Sequence, residues 1–377
     1  MSKKKLAWLL PLLALVLVAI AWLPFLLKIN FWGIDFSQGL AVLWSNFDGP
    51  NYLIIAKTVY DKTAISRTFS NPLPLEYYPA HWPLYPAMIA AVDLILPGPW
   101  AMLAVAVLGL AFFYWALVKF LDCFGANKKQ ILWVGLTSLI LPARWLALRS
   151  VGSPEAWFLA FILLSLVAYK EKKYWSAGIW GALAQATKSP GILLMAGYGI
   201  YELIKLIRKE RKLKNSFFNL LKVSLIPLMV LAVFGLYYLR TGDFLAYFHS
   251  GDNFHLFWPP FSIFSKGQTW VGEFWLEDII WVWLIYGLGI AKLWKEKKEL
   301  PAVFASVFFL TTLFVSHRDI SRYIMPIMPT VLLGWKKELT KPYMKWILLL
   351  LVIPSLLFSW NFMLNNMAPV ADWTPYL

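Results

Sequence analysis

Cysteine is nearly absent from this 377-residue chain, with Cys123 standing alone. One thiol makes no intrachain disulfide and no cysteine-based metal centre, so neither holds this fold together. Charge is scarce too, at 15% of residues, and acidic groups are the scarcest, 20 against 35 lysines and arginines. A content that is 60% hydrophobic and 18% aromatic excludes an ordinary soluble domain. The formal net charge of +15 invites a nucleic-acid reading. It fails because the basic residues fall in short clusters between apolar runs and form no continuous basic face.

What remains is an all-α polytopic membrane protein. Lys3, Lys4 and Lys5 precede an apolar run from Leu6 to Leu27. That run is too long for a signal peptide's apolar core and lacks a small-x-small cleavage site, so an uncleaved first span is predicted, basic end in the cytoplasm. Later spans follow from runs near bilayer length, oriented by the Lys/Arg clusters between them. They are Trp100–Leu121, Ile131–Leu148, Pro154–Tyr169, Tyr174–Gln185, Gly191–Ile207, Phe218–Leu239, Trp275–Leu293, Pro301–Ser316, Tyr323–Trp335 and Tyr343–Met363. Pro83–Leu96 is apolar but short for a crossing, and counting it as a span would move nearly every later basic cluster outside. It is read as a surface helix. The result is one integral-membrane domain over 1–377, a bundle of about 11 transmembrane helices, with exofacial loops at 28–99 and 240–274.

The first loop contains SNFDGPNYLIIAKTVYD, Ser45 to Asp61. Asp-Gly-Pro starts helices, because Asp accepts backbone N–H groups at an N-cap and Pro suits the first turn. Tyr52, Ile55, Ala56, Val59 and Tyr60 then recur at helical spacing, predicting an amphipathic helix on the membrane with Asp48 at its start. Asp48 has two readings at this stage, a helix cap or a catalytic carboxylate on the outer face.

Charges beside a membrane are costly unless paired, hydrated or functional. On this topology the exofacial ones include Asp48, Glu76, His81, Arg144, Arg149, Glu155, Lys188, Arg240, His249, Asp252, His255, His317, Arg318, Asp319 and Arg322. Acids and cations facing one compartment suit an anionic substrate. Each also has a plainer reading: Glu155 caps a span, Arg318 and Arg322 snorkel as anchors, and His81 beside Trp82 is a hydrogen-bonded interfacial residue. His249, Asp252 and His255 have spacings a metal could use, yet a loop tip rich in Gly, Asn and Phe carries such residues by default, and no metal is expected.

Several segments share one resemblance. Phe47-Asp48-Gly49 with Tyr52, Ala56 and Tyr60, then Pro83-Leu84-Tyr85-Pro86, is similar to the PIG-V-like mannosyltransferases of the GT-C superfamily. Ser153-Pro154-Glu155-Ala156-Trp157-Phe158 resembles their Ser-Glu-x-x-Phe element. Ala186-Thr187-Lys188-Ser189-Pro190-Gly191 resembles their Thr-Arg-Ser-Asn-Gly, and Arg322-Tyr323 with Pro326 their late Arg-Tyr-Pro. Phe47 departs from the usual Trp, and Lys188 and Pro190 from Arg and Asn. Lys keeps the charge but loses bidentate geometry toward phosphate.

The resemblance implies an inverting membrane glycosyltransferase. It would move a sugar, mannose in that family, from a polyprenyl- or dolichyl-phosphate donor to an exofacial hydroxyl on a glycan, lipid or protein. No cofactor beyond this lipid-linked co-substrate is implied. Asp48 would be the general base, with Arg322, Tyr323, Lys188 and Arg318 on the donor phosphate. Glu155, His81, Tyr52 and Tyr85 would be acceptor-binding or accessory. The expected location is a prokaryotic plasma membrane, or otherwise the endoplasmic reticulum. A transporter or lipid flippase is the alternative class, which calls for internal repeats and mid-span charges. No clear repeat is found, and the spans are nearly free of acid, with Asp278 near an outer end. A non-catalytic subunit of a glycosylation complex needs only the fold and stays open.

Overall fold

The computed structural model describes residues 2–70, 73–251, 255–273 and 275–377, and among them every regular element is a helix. Among the described residues, five helical stretches are long and apolar enough to cross a bilayer: Lys3–Leu27, Gly98–Cys123, Ser189–Ile207, Leu213–Thr241 and Met344–Leu364. Between them pack shorter apolar helices, among them Glu155–Lys170, Tyr174–Thr187 and Glu299–Thr312.

Helix Glu155–Lys170 is the axis of the bundle. All its residues but Trp157 and Lys170 are buried, as expected for a helix apolar all round. It packs between Gly98–Cys123 and Tyr174–Thr187. Lys3–Leu27 lies outside on Gly98–Cys123 and shows two apolar faces. Leu6, Leu10, Ala14, Ala21 and Phe25 point into the protein, while Trp8, Leu12, Val16, Ile20 and Leu23 are exposed. An apolar face turned outward is what hydrocarbon solvates and water does not.

The bundle has two chemically different ends. Lys170, Lys205, Lys292, Lys295, Lys297, Lys298, Lys336 and Lys337 line two adjoining clefts at one end. Glu155 stands at the opposite end of its 16-residue helix from Lys170, roughly 22 Å away at the α-helical rise.

Three local expectations change. Ile131–Leu148 is not one helix: it divides into Lys128–Ile140 and Ala143–Leu148 at Pro142, which lacks the N–H that a continuing helix needs. The helix after Asp48 spans Gly49–Thr58, so Val59 and Tyr60 lie beyond it in left-handed conformation. That helix is also not half-exposed. Gly49 to Ile55 are all buried, against helix Leu84–Asp93 and the start of Gly98–Cys123.

The segment after helix Met344–Leu364 folds back over this first loop. The Phe47 N–H donates to the Asn366 carbonyl at 2.8 Å, and the Ala368 N–H to the Ser45 carbonyl at 2.7 Å. Asn46 Nδ2 adds a 2.8 Å bond to the Met363 carbonyl. The far end docks as well. A Cβ on Gly98, which has φ +45°, would sit 1.9 Å from the Tyr376 carbonyl oxygen, so this close approach requires glycine.

Candidate active site

Asp48 occupies the N-cap position, but its side chain makes no capping bond. This removes the plain reading of the residue as a helix cap. Phe47 in left-handed conformation (φ 51°) begins the turn, which directs the carboxylate across the loop instead. Asp48 Oδ1 lies 3.4 Å from His81 Nε2 and Oδ2 lies 3.4 Å from an Arg322 terminal nitrogen. The Arg322 guanidinium stacks over the Phe47 ring at 4.6 Å. The residue standing where the family pattern has Trp is thus an aromatic seat for this cation.

Glu155 is the other anchor. It accepts from Arg322 Nε at 2.6 Å and from Lys188 Nζ at 2.9 Å. The four charges meet from four separate parts of the chain: the first loop, the start of the axial helix, the turn after Tyr174–Thr187, and helix Ile320–Ile324. An adjacent pair, Arg144 with Asp319 at 2.5 Å, closes the far side.

The two carboxylates differ in a way that separates their roles. Glu155 is only 3% exposed and makes two short charge-assisted bonds, the pattern of a structural clamp. Asp48 is 17% exposed and its two contacts are both long, so lone pairs remain for a substrate. Burial raises the Asp48 pKa, while the hydrogen bond and attraction from His81 and the charge of Arg322 lower it and prevail. Asp48 is held below its ordinary value of 3.8 and is ionised at neutral pH.

His81 is fixed in turn. Its carbonyl accepts from the Tyr60 hydroxyl at 2.7 Å, and its ring meets the Tyr52 and Tyr77 rings edge-on. Tyr52, next to Asp48, has its phenol pushed well above the usual value by burial and by the carboxylates, so it stays protonated. Tyr85 lies behind Tyr52, ring against ring at 4.9 Å. Tyr323 reaches the site, but Arg318 is exposed and does not line it.

Asp48, His81, Lys188, Arg322 and Tyr323 share one cavity of about 200 Å³. A second cavity of about 250 Å³ adjoins it, with Ser189, Pro190, Tyr247, His255 and Tyr323 common to both. Its remaining lining is mainly apolar, including Trp82, Ile192, Leu193, Phe234 and Phe308. Sequence reading had passed over Tyr247, and had named Ser189 and His317 without giving either a role. Tyr247 donates to Ser189 at 2.8 Å, and the His255 and His317 rings meet at a tilt, centroids 4.3 Å apart, beside Tyr323. Of the residues weighed for a metal, His249 faces Asp243 at 2.6 Å, His255 lines the cavity, and Asp252 lies outside the described residues.

No protein-family model matches the chain, and no curated protein matches it by sequence. Among solved structures it is similar to ArnT from Cupriavidus metallidurans bound to undecaprenyl phosphate, at 17% identity and TM-score 0.53, over 89% of this chain and 62% of that one. The apo form of ArnT gives 18% identity and TM-score 0.54, over 89% and 61%. The chain therefore spans less than two thirds of the length of these relatives. The S. cerevisiae protein O-mannosyltransferase Pmt1-Pmt2 complex bound to its sugar donor matches 67% of this chain and 37% of that one at 14% identity, and its TM-score of 0.35 carries no weight. At such identities the similarity is one of architecture, an all-helical fold shared with the ArnT structures.

Proposed function

We propose that the chain is a membrane glycosyltransferase that takes a sugar from a polyprenyl-phosphate donor and passes it to an acceptor hydroxyl on the outer face of the membrane. The observation that carries this reading is the junction of the two cavities. A lipid-linked sugar phosphate is apolar at one end, anionic in the middle and hydroxyl-rich at the other. The apolar groove adjoins, through residues common to both spaces, the cavity that holds the Lys188/Arg322 cations and the Asp48 carboxylate.

The chemistry follows from placement. Asp48 accepts the proton of the acceptor hydroxyl as its oxygen bonds to the anomeric carbon. On the opposite face the bond from that carbon to the phosphate oxygen breaks, and the lipid phosphate leaves with the electron pair. Arg322 and Lys188 hold the charge that develops there, with Arg322 as the main ligand. Attack opposite the leaving group inverts the anomeric centre. Glu155 keeps both cations in position, and His81 with Arg322 keeps Asp48 ionised. Mannose is the proposed sugar, on the motif resemblance. Undecaprenyl phosphate in the ArnT complex supports a polyprenyl carrier.

The test is transfer of labelled mannose from a polyprenyl-phosphate donor by membranes holding equal amounts of wild type or Asp48→Asn. Wild-type transfer reduced by about 10² or more in the variant supports the reading. Equal transfer by both removes Asp48 from catalysis, and a wild type that moves no sugar from any polyprenyl-phosphate donor overturns the assignment.

A further inference from the structure

A third cavity, of about 310 Å³, is also lined by Asp48, and neither Lys188 nor Arg322 is among its lining residues. It shares only Phe47, Asp48 and Tyr77 with the charged cavity, so these three form the partition between them. Its remaining polar side chains are Asn51, Asn365 and Asn366, and the rest of the lining includes the backbone run through Met367 to Val370. No lysine, arginine or histidine is among its described lining residues. Asn366 Nδ2 is buried and makes no hydrogen bond among the described residues. A buried amide donor left unpaired is costly, and a ligand oxygen relieves it.

We infer that this cavity is the acceptor subsite and that it takes an uncharged sugar or polyol. The inference rests on the transferase reading and adds the class of acceptor. A general base must touch the attacking hydroxyl and lie beside the anomeric carbon, and Asp48 is the one carboxylate facing both spaces. A phosphate or carboxylate on the acceptor would enter a lining with no cation of its own, because Arg322 and His81 are already engaged with Asp48 across the partition, and it would repel the Asp48 carboxylate in a partly buried site. Amides and aromatic rings match a neutral sugar: amides exchange hydrogen bonds with ring hydroxyls in both directions, and Tyr77 and Phe47 offer apolar faces. The cavity exists because the segment after helix Met344–Leu364 is pinned to residues 45–47. Acceptor choice is therefore written in residues 365–370.

The experiment measures binding to the purified full chain in detergent micelles, without requiring turnover. The probes are undecaprenyl phosphate for the donor side, and neutral methyl glycosides of mannose, glucose and galactose with their 6-phosphates for the acceptor side. At least one neutral glycoside is expected to stabilise the protein additively with undecaprenyl phosphate and to bind about tenfold more tightly than its phosphate. Asn366→Ala is expected to weaken glycoside binding by about fivefold or more and leave the lipid phosphate unaffected. Arg322→Ala is expected to do the reverse. Asn365→Ala, at an exposed side chain, repeats the first effect should Asn366→Ala fold poorly. Tighter binding of the phosphorylated glycosides, no binding of any neutral glycoside, or equal loss of both ligands in the asparagine variants overturns the inference. Loss of undecaprenyl phosphate binding by the wild type, with glycoside binding intact, faults the transferase reading and not the acceptor class.

Discussion

Glu155 and Arg322 are 167 residues apart in the chain and 2.6 Å apart in the fold, with the guanidinium Nε donating to carboxylate Oε1. The same oxygen takes a second bond from Lys188. Glu155 is thus the common counter-ion of both cations proposed for the donor phosphate. It holds the start of the axial helix, the turn after Tyr174–Thr187 and the Arg322 helix to one point.

Removing that counter-ion leaves two partly buried cations side by side, with only the long contact from Arg322 to Asp48 remaining between acid and base. Glu155→Ala is expected to lower stability by about 3 kcal/mol or more, the usual effect of breaking a buried pair from one side. Thermal unfolding in detergent reads this directly. A change below about 1 kcal/mol would mean that solvent or lipid already compensates these cations.

His81 sets the acidity of Asp48. The Asp48 pKa is depressed in the folded protein, so its ionised form is favoured above its unfolded value and that advantage is lost as pH falls through the lower folded value. Transfer by the wild type should accordingly stay level on the acid side until below the ordinary carboxylate pKa. In His81→Leu the chief lowering influences are gone while burial still raises the pKa. The acid limb of the pH–rate profile should then move to higher pH. An unmoved limb would mean that His81 acts on substrate rather than on Asp48.

The apolar groove predicts a dependence on lipid length. Thr311 lines it at a distance from the charged cavity, which Thr311 does not touch. Thr311→Trp should raise the KM of a long polyprenyl donor by roughly tenfold, the effect of losing one or two buried isoprenoid methylenes, and spare a donor with one isoprene unit. Equal effects on both donors would place the isoprenoid elsewhere.

The bundle was legible in the sequence because apolar runs and basic clusters are one-dimensional signals. Asp48, Lys188 and Arg322 could be named for a similar reason, since ions beside apolar runs stand out. What Asp48 touches was not legible: cap position and cap bonding are separate properties, and a left-handed Phe47 before it is not apparent from residue type. Arg318 and Arg322, four positions apart, look equivalent on a page. Tertiary packing draws Arg322 into the site and leaves Arg318 exposed. The asparagines of the third cavity gave no signal, because Asn365-Asn366 reads as an ordinary helix end until its carbonyl is seen to hold Phe47. Tyr247 was hidden likewise, in a loop whose partner, Ser189, lies 58 residues earlier.

The bond from Asn46 to the Met363 carbonyl spans 317 positions of sequence. A chain emerging from the ribosome inserts its first loop long before the segment that will clasp it exists. Until residues 363–368 arrive, the turn carrying Asp48 lacks one of its walls, and the carboxylate has no fixed aim. A nascent chain therefore carries Asp48 through about three hundred further residues before the geometry proposed for it can form. That geometry is acquired when helix Met344–Leu364 and the segment after it return to the first loop.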